Sequence, residues 1–289
     1  MSSSSSRASR PVVALNALPI VILQVLFFIA PLLITVALSF QETKSFVLEW
    51  SWSLKTWTDV FSRSYYWLIM LRTLVMSLAT VALCLIIGFP VAYVLATRLK
   101  RWENHVTILI VFAFLTDSVL KIFGWVLFLD QSGVANSVLG WIGLPHLPAW
   151  ALFSPPATLL GMVYNLLPFT IFTIFLSVSM IDRDIIRAAY DCGAGKFRTF
   201  WEVTLPLSRN GLMAGGVLVF VLSLGCFLEP KVLGGGKSPM AAELIRQTFE
   251  TRINWPLGSA LTVVVMVIAT VTILLFLRLI DLRKTGAVR

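Results

Sequence analysis

Charge is scarce in this sequence. Lys, Arg, Asp and Glu make up 13% of its 289 residues, while 58% are hydrophobic; an ordinary soluble domain carries about 25% charged residues. That excludes a chain whose main solvent is water. Cysteine is equally sparse: Cys84, Cys192 and Cys226 stand singly, with no CxxC or Cys/His spacing, so neither a disulfide framework nor a zinc site is indicated. The only histidines, His105 and His146, are isolated and read as polar interface residues rather than ligands. No GxxxxGK[ST] phosphate loop occurs, which excludes ATP hydrolysis by this chain. The GGGK run at 234–237 reads as a flexible loop on the outer side. No paired acids, histidine cluster or nucleophile with its base stand out, as a polytopic membrane enzyme would need. The formal charge of +9 is dispersed among apolar runs rather than gathered in a patch, which argues against nucleic acid as a partner.

What is abundant is long apolar sequence. Six segments meet the requirement of about 17–25 mostly apolar residues for a bilayer-crossing helix: Val12 to Phe40, about Arg72 to Thr97, His105 to Leu129, Pro156 to Met180, Asn210 to Leu228 and Trp255 to Leu277. The first is too long for the apolar core of a cleaved signal peptide and is expected as a retained span, with Pro19 and Pro31 near its ends or kinking it. Residues 1–11, with serines 2–6 followed by Arg7 and Arg10, read as a disordered polar tail. Residues 12–289 read as a single transmembrane domain, since the spans leave no room for a soluble one. Trp50, Trp52, Trp57, Tyr65, Tyr66 and Trp67 mark 41–67 as an interfacial loop. The segment GVANSVLGWIGLPHLPAW, without lysine or arginine, reads as another loop, and 229–255 as a third. Gly211, Gly215 and Gly216 in the fifth span allow helix backbones to approach closely.

Lysine and arginine set the orientation. With the N-terminal tail inside, the inner segments hold fourteen of them, including Arg98, Lys100, Arg101, Arg187, Lys196, Arg198 and Arg283, against seven in the outer loops. The positive-inside rule then places both termini and residues 181–209 in the cytoplasm.

That block, IDRDIIRAAYDCGAGKFRTFWEVTLPLSR, organises the rest. Asp182 or Asp184 is expected to cap a short helix reaching Ala189 or so, and Gly193 to supply the left-handed turn that ends it. A second helix from about Lys196 to Val203 is expected to stop before Pro206, which biases Leu205 away from helical angles. Cys192 is expected to be buried in packing. The sum is a basic helix–turn–helix docking surface beside the bilayer.

Arg187 to Pro206, RAAYDCGAGKFRTFWEVTLP, resembles the cytoplasmic loop signature (the EAA motif) of ABC importer permeases. Ala188, Ala189, Gly193, Leu205 and Pro206 match that signature, Asp191 lies within it, and Arg187 stands where the family usually has glutamate. The stretches LIIGFPVAYVLA (85–96), LKIFGWVLFL (120–129), GVAN (133–136), LPFTIFTIFLSVSMID (167–182), LGCFLEPKVLGGG (224–236) and NWPLGSAL (254–261) resemble, in the same order, the spermidine/putrescine-type branch. The resemblance implies an all-α membrane protein with the type I ABC importer permease fold, in the bacterial inner membrane. It also implies a second, similar permease subunit forming a heterodimer, two ATPase subunits that bind ATP and Mg, and an external solute-binding protein. No cofactor is implied for this chain. Ala188, Ala189 and their helix are then the coupling helix, sunk into a groove of the ATPase, with the glycine turning the chain beneath it.

Charges within spans are costly and point to function. Asp117 and Lys121, four apart on one face of the third helix, either contact charged ends of a cargo or pair with each other. An ion-coupled secondary transporter would use the same two as its ion site. Glu229, near the outer end of the fifth span, is the other candidate, with Trp125, Tyr164, Asn165 and Phe227 as neighbours suited to a cation. The branch usually has an acid where Cys226 stands and an arginine where Lys121 stands. A polyamine is the leading cargo, followed by opine-like, amino-acid-derived or quaternary amine solutes.

Overall fold

The computed structural model describes residues 22–44, 47–49, 51–97, 105, 108, 112, 115–148 and 151–285. The 1–11 tail, the start of the first span, and Arg98, Lys100 and Arg101 lie outside the described residues. Contacts group the chain into two units, one holding the residues up to Ser64 with Ile245–Val267, the other holding Tyr65–Leu244 with the residues from Ile268 onward.

In the first unit, α1 (Ile22–Leu38) contains a π-helical stretch at Val25–Ile29, and Pro31 sits in the first turn of the α-helical segment that follows. There its missing N–H breaks no ladder. A short hairpin pairs β1 (Glu42–Lys44) with β2 (Val47–Glu49). This register sets Glu42 opposite Glu49, and Lys55 Nζ reaches Glu42 Oε1 at 2.8 Å. Lys55 opens α2 (Lys55–Ser62), whose Trp57 ring packs 5.8 Å from Phe40. The aromatic 41–67 segment therefore contains ordered hairpin and helix.

In the second unit, α3 (Ser64–Thr97) is one continuous helix. It begins eight residues earlier than the sequence suggests, taking Tyr65, Tyr66 and Trp67 into its first turns, and it runs through Pro90. The third span is broken. Residues 105, 108, 112 and 115 are helical, but Asp117 is extended (φ −60°, ψ 136°), and α4 (Ser118–Leu129) starts anew after it. Asp117 is the N-cap of α4, so Asp117 and Lys121 stand at the start of a new helix and not within one continuous third span; Lys121 N still donates to Asp117 O at 3.3 Å. The segment read as a glycine- and proline-rich loop holds α5 (Val134–Ile142), anchored by Asn136 Oδ1, which accepts from Leu147 N at 2.6 Å. Then comes α6 (Pro155–Ser179), capped by Ser154.

The charged block forms α7 (Arg183–Asp191) and α8 (Lys196–Leu207), the latter with a π-helical stretch at Phe200–Thr204. Pro206 does not end the second helix. Leu205 is helical (φ −61°, ψ −46°), because the wider π turn ends there and Pro206 enters the first turn of a new α segment. The path bends by 62° where α8 meets α9 (Arg209–Leu224). The fifth span thus ends at Leu224, and Glu229 belongs to a separate short helix, α10 (Leu228–Val232). The segment beyond it carries α11 (Ala241–Glu250) before α12 (Trp255–Thr285). The 234–236 glycines form a turn: Gly235 and Gly236 have φ of 61° and 68°, and a Cβ on Gly235 would lie 2.8 Å from Phe153 Cβ. Cys192 is exposed, not buried, since it follows the last residue of α7 at the block's surface.

The core of the second unit lies where α3, α6 and α9 meet, around Val81, Cys84, Val163, Leu166, Val219 and Phe220. Close approach of α6 and α9 depends on Gly211 and Gly215, which face Ser177 and Thr173. Among the described residues, four helical stretches are long and apolar enough to cross a membrane: Ser64–Thr97, Ser118–Ile142, Pro155–Ser179 and Trp255–Arg278. The bent pair of α8 and α9 makes a fifth, and the described part of the first span, Ile22–Leu38, is shorter.

Candidate solute pathway and charged loop

Asp117 starts α4 by accepting from the backbone N–H of Val119 at 2.7 Å and of Leu120 at 3.4 Å. This satisfies two amides that a helix start leaves without partners. With the start set there, Ser118 and Lys121, three apart, share a helix face. Asn165 of α6 lies across from them. Its Nδ2 donates to Ser118 Oγ at 3.2 Å and to Glu229 Oε1 at 3.1 Å, and the Ser118 hydroxyl donates to Asn165 Oδ1 at 3.3 Å. Glu229 is only 3% exposed. A carboxylate taken out of water is tolerated where polar partners meet it, and Asn165 is such a partner.

These groups line a cavity of about 450 Å³ together with Thr116, Lys121, Phe169, Cys226 and Phe227. A neighbouring cavity of about 400 Å³ is lined by Thr116, Lys121, Trp125, Phe128 and Tyr164. There the Trp125 ring meets Tyr164 edge-on at 5.4 Å and Phe128 at 5.5 Å. Both volumes lie within the range of about 300–1,000 Å³ usual for small-molecule sites. Lys121, Asn165, Phe227 and Glu229 are thus brought to one cavity, Trp125 and Tyr164 to the adjoining one, and Asp117 to neither lining. Ser118, Thr116 and Phe169 were missed by sequence reasoning. Ser118 was legible, because Asp117 followed by an apolar periodic run is a helix-start signature that puts Ser118 and Lys121 on one face.

Asp117 therefore acts on the backbone. Asp117→Ala is expected to lower stability by about 0.5–2 kcal/mol, while Asp117→Asn, which still accepts, keeps both stability and uptake. Melting temperature and uptake rate of the two variants check this; loss of uptake in a stable Asp117→Asn protein would make the carboxylate a solute contact.

In the charged block, Asp182 caps α7, accepting from Asp184 N at 2.9 Å. Gly193 ends it with φ 83°. Ala194 N donates to Ala189 O at 3.0 Å and Gly193 N to Tyr190 O at 2.9 Å, the paired bonds of a Schellman motif. Arg187 Nη1 donates to Asp184 Oδ1 at 3.0 Å on the same helix, and Ala188 and Asp191 are exposed beside it. Phe200 of α8 sits edge-on against Phe89 at 5.4 Å and Tyr93 at 5.2 Å, both from α3. Leu205 packs on the cluster of Phe89, Ala92, Ile174, Phe175 and Val178, and Pro206 is exposed beside it. The block is thereby seated on the ends of α3 and α6, while Met180, Phe197 and Trp201 present apolar surface outward. A force applied to α7 and α8 has a packed route into two spans.

Comparison with known proteins agrees with this layout. The spermidine/putrescine transport system permease protein PotB of Escherichia coli (strain K12) is 30% identical over 256 residues, covering 88% of this chain and 92% of that protein. The sulfoquinovosyl glycerol transport system permease protein SmoG of Agrobacterium fabrum (strain C58) is 27% identical, covering 78% and 75%. In fold, the chain is similar to a bacterial alginate ABC transporter solved in complex with an alginate pentasaccharide-bound periplasmic protein, with TM-score 0.69, 20% identity and 92% of each chain covered. A family profile described as binding-protein-dependent transport system inner membrane component matches residues 2–285. The chain belongs to that family, and it is a multi-pass permease subunit of an ABC importer.

Proposed function

We propose that this permease subunit takes up a small nitrogenous solute, with a polyamine as the first candidate, by ATP-driven alternating access. Six spans put both termini and the 181–209 block in the cytoplasm. Two ATPase subunits, which bind the ATP and Mg, grip Ala188, Ala189 and the rest of α7, and Arg187, Asp191, Gly193, Leu205 and Pro206 hold the block that passes their closure to α3 and α6. A second, similar permease subunit shares the cavity, and an external solute-binding protein delivers cargo. The observation that carries the cargo reading is the buried carboxylate of Glu229 in a cavity whose neighbour is lined by Trp125 and Tyr164. An acid beside aromatic faces suits an ammonium group, and PotB supports the same class.

A second reading rests on Lys121, which lines the same cavity as Glu229. One cation and one anion in one cavity suit a zwitterion such as an amino-acid derivative. The experiment reconstitutes the complete transporter in proteoliposomes and follows labelled spermidine, putrescine, amino-acid derivatives and sugars delivered by the binding protein. Polyamine uptake is expected to require ATP, to survive collapse of ion gradients and to stop when the ATPase is inactivated. Uptake driven by an ion gradient without ATP would overturn the importer mechanism; uptake of zwitterions alone would replace the polyamine by the second reading.

A further inference from the structure

A cavity of about 450 Å³ separate from the candidate pathway lies between the ends of α3 and α6 and the underside of α7. Its walls include Tyr93 and Thr97 of α3, Phe175 and Ser179 of α6, and Arg187 and Tyr190 of α7. It shares no residue with the Glu229 cavity. Its chemistry is two-sided. Phe175 is buried against the helix core, whereas Arg187, Tyr190 and Ser179 are exposed at the rim.

We propose that this cavity seats the headgroup of an anionic phospholipid from the inner leaflet, and that the seated lipid braces α7 against α3 and α6 so that ATP hydrolysis is coupled to transport. The inference rests on the cytoplasmic placement of the 181–209 block argued above. Three observations carry it. The cavity opens where two spans end, which on that placement is headgroup depth. Arg187 supplies charge complementary to phosphate: a guanidinium has five N–H donors, and Asp184 takes one of them. Tyr93 and Tyr190 add phenol donors, and Tyr93 already packs on Phe200, so the occupant touches the contact through which α8 meets α3.

The test uses the complete transporter in nanodiscs of phosphatidylcholine alone or with phosphatidylglycerol, reading retained lipid by native mass spectrometry and solute moved per ATP hydrolysed. Phosphatidylglycerol is expected to be retained and to raise solute moved per ATP. Ser179→Trp, which fills the cavity, abolishes both effects. Tyr93→Phe keeps the ring on Phe200 and loses a donor, and it retains phosphatidylglycerol less than the parent while staying folded, which keeps the test valid should Ser179→Trp not assemble. Loss of one basic residue weakens retention roughly fivefold, so Arg187→Gln is read by lipid retention alone. Equal retention and coupling in both lipids, with the ATPase assembled, overturns the inference and leaves the importer reading intact. Stimulation by inorganic phosphate in pure phosphatidylcholine assigns the cavity to a soluble anion and overturns the lipid. Failure of the ATPase subunits to bind α7 overturns both readings.

Discussion

Glu229→Gln is expected to lower ATP-driven uptake of a polyamine by roughly 10- to 100-fold while leaving the protein folded. The glutamine keeps an acceptor for Asn165 Nδ2, which now sits 3.1 Å from Glu229 Oε1, so the polar cluster with Ser118 survives. Only the charge is removed. A hydrogen bond to a charged group contributes about 1.5–3 kcal/mol, and each 1.4 kcal/mol is about tenfold in affinity. Glu229→Ala goes further: it strips Asn165 of a buried acceptor and is expected to lower the melting temperature as well. Initial uptake rates in proteoliposomes, set beside melting temperatures, separate the two effects. Full polyamine uptake by Glu229→Gln would show that the carboxylate's charge does not recognise the cargo, and Glu229 would have to be given up as a solute contact.

The second large effect lies in the helix pair that holds the cavity closed on one side. A Cβ on Gly211 would overlap Ser177 Cβ and stand 3.0 Å from the Thr173 carbonyl oxygen; a Cβ on Gly215 would stand 2.5 Å from Thr173 Oγ1. The carbonyl belongs to the backbone of α6 and cannot swing away, so the helices must separate. Forcing extra atoms into a packed interface costs about 1–3 kcal/mol, and valine at Gly211 is expected to reach the upper part of that range, with alanine below it. The substitution also separates Ser177 from Ser208 O, now 3.5 Å apart at the bend between α8 and α9. Thermal stability of the detergent-solubilised transporter should fall in the order parent, Gly211→Ala, Gly211→Val, and solute moved per ATP should fall with it. A Gly211→Val transporter as stable as the parent would mean that α6 and α9 do not pack through these glycines.

The charged block shows where local sequence is informative. A cap at Asp182 or Asp184, the Gly193 turn and the approximate extent of α7 follow from capping and turn chemistry, which depend on residues a few positions apart. The same reasoning failed at Pro206. A proline ends a helix only if the hydrogen-bond ladder needs its N–H, and the π turn at Phe200–Thr204 shifts that ladder by one residue. Nothing within a few residues announces that turn, because Phe200 is held by Phe89 and Tyr93, more than a hundred positions away in sequence.

The sequence by itself determined the class of molecule, the approximate positions of most apolar segments, the charged block with an aspartate cap at Asp182 or Asp184 and the Gly193 turn, and the family signature. These rest on composition, on runs of apolar residues and on neighbours close in the chain. Tertiary structure alone decided that Glu229 belongs to a separate short helix and meets Asn165, which in turn meets Ser118, and that a further cavity opens beneath α7. Asn165 and Glu229 are 64 positions apart, and Ser118 and Asn165 are 47. A hydrogen bond acts over about 3 Å, so only the folding of α4, α6 and α10 onto one another could bring these groups together.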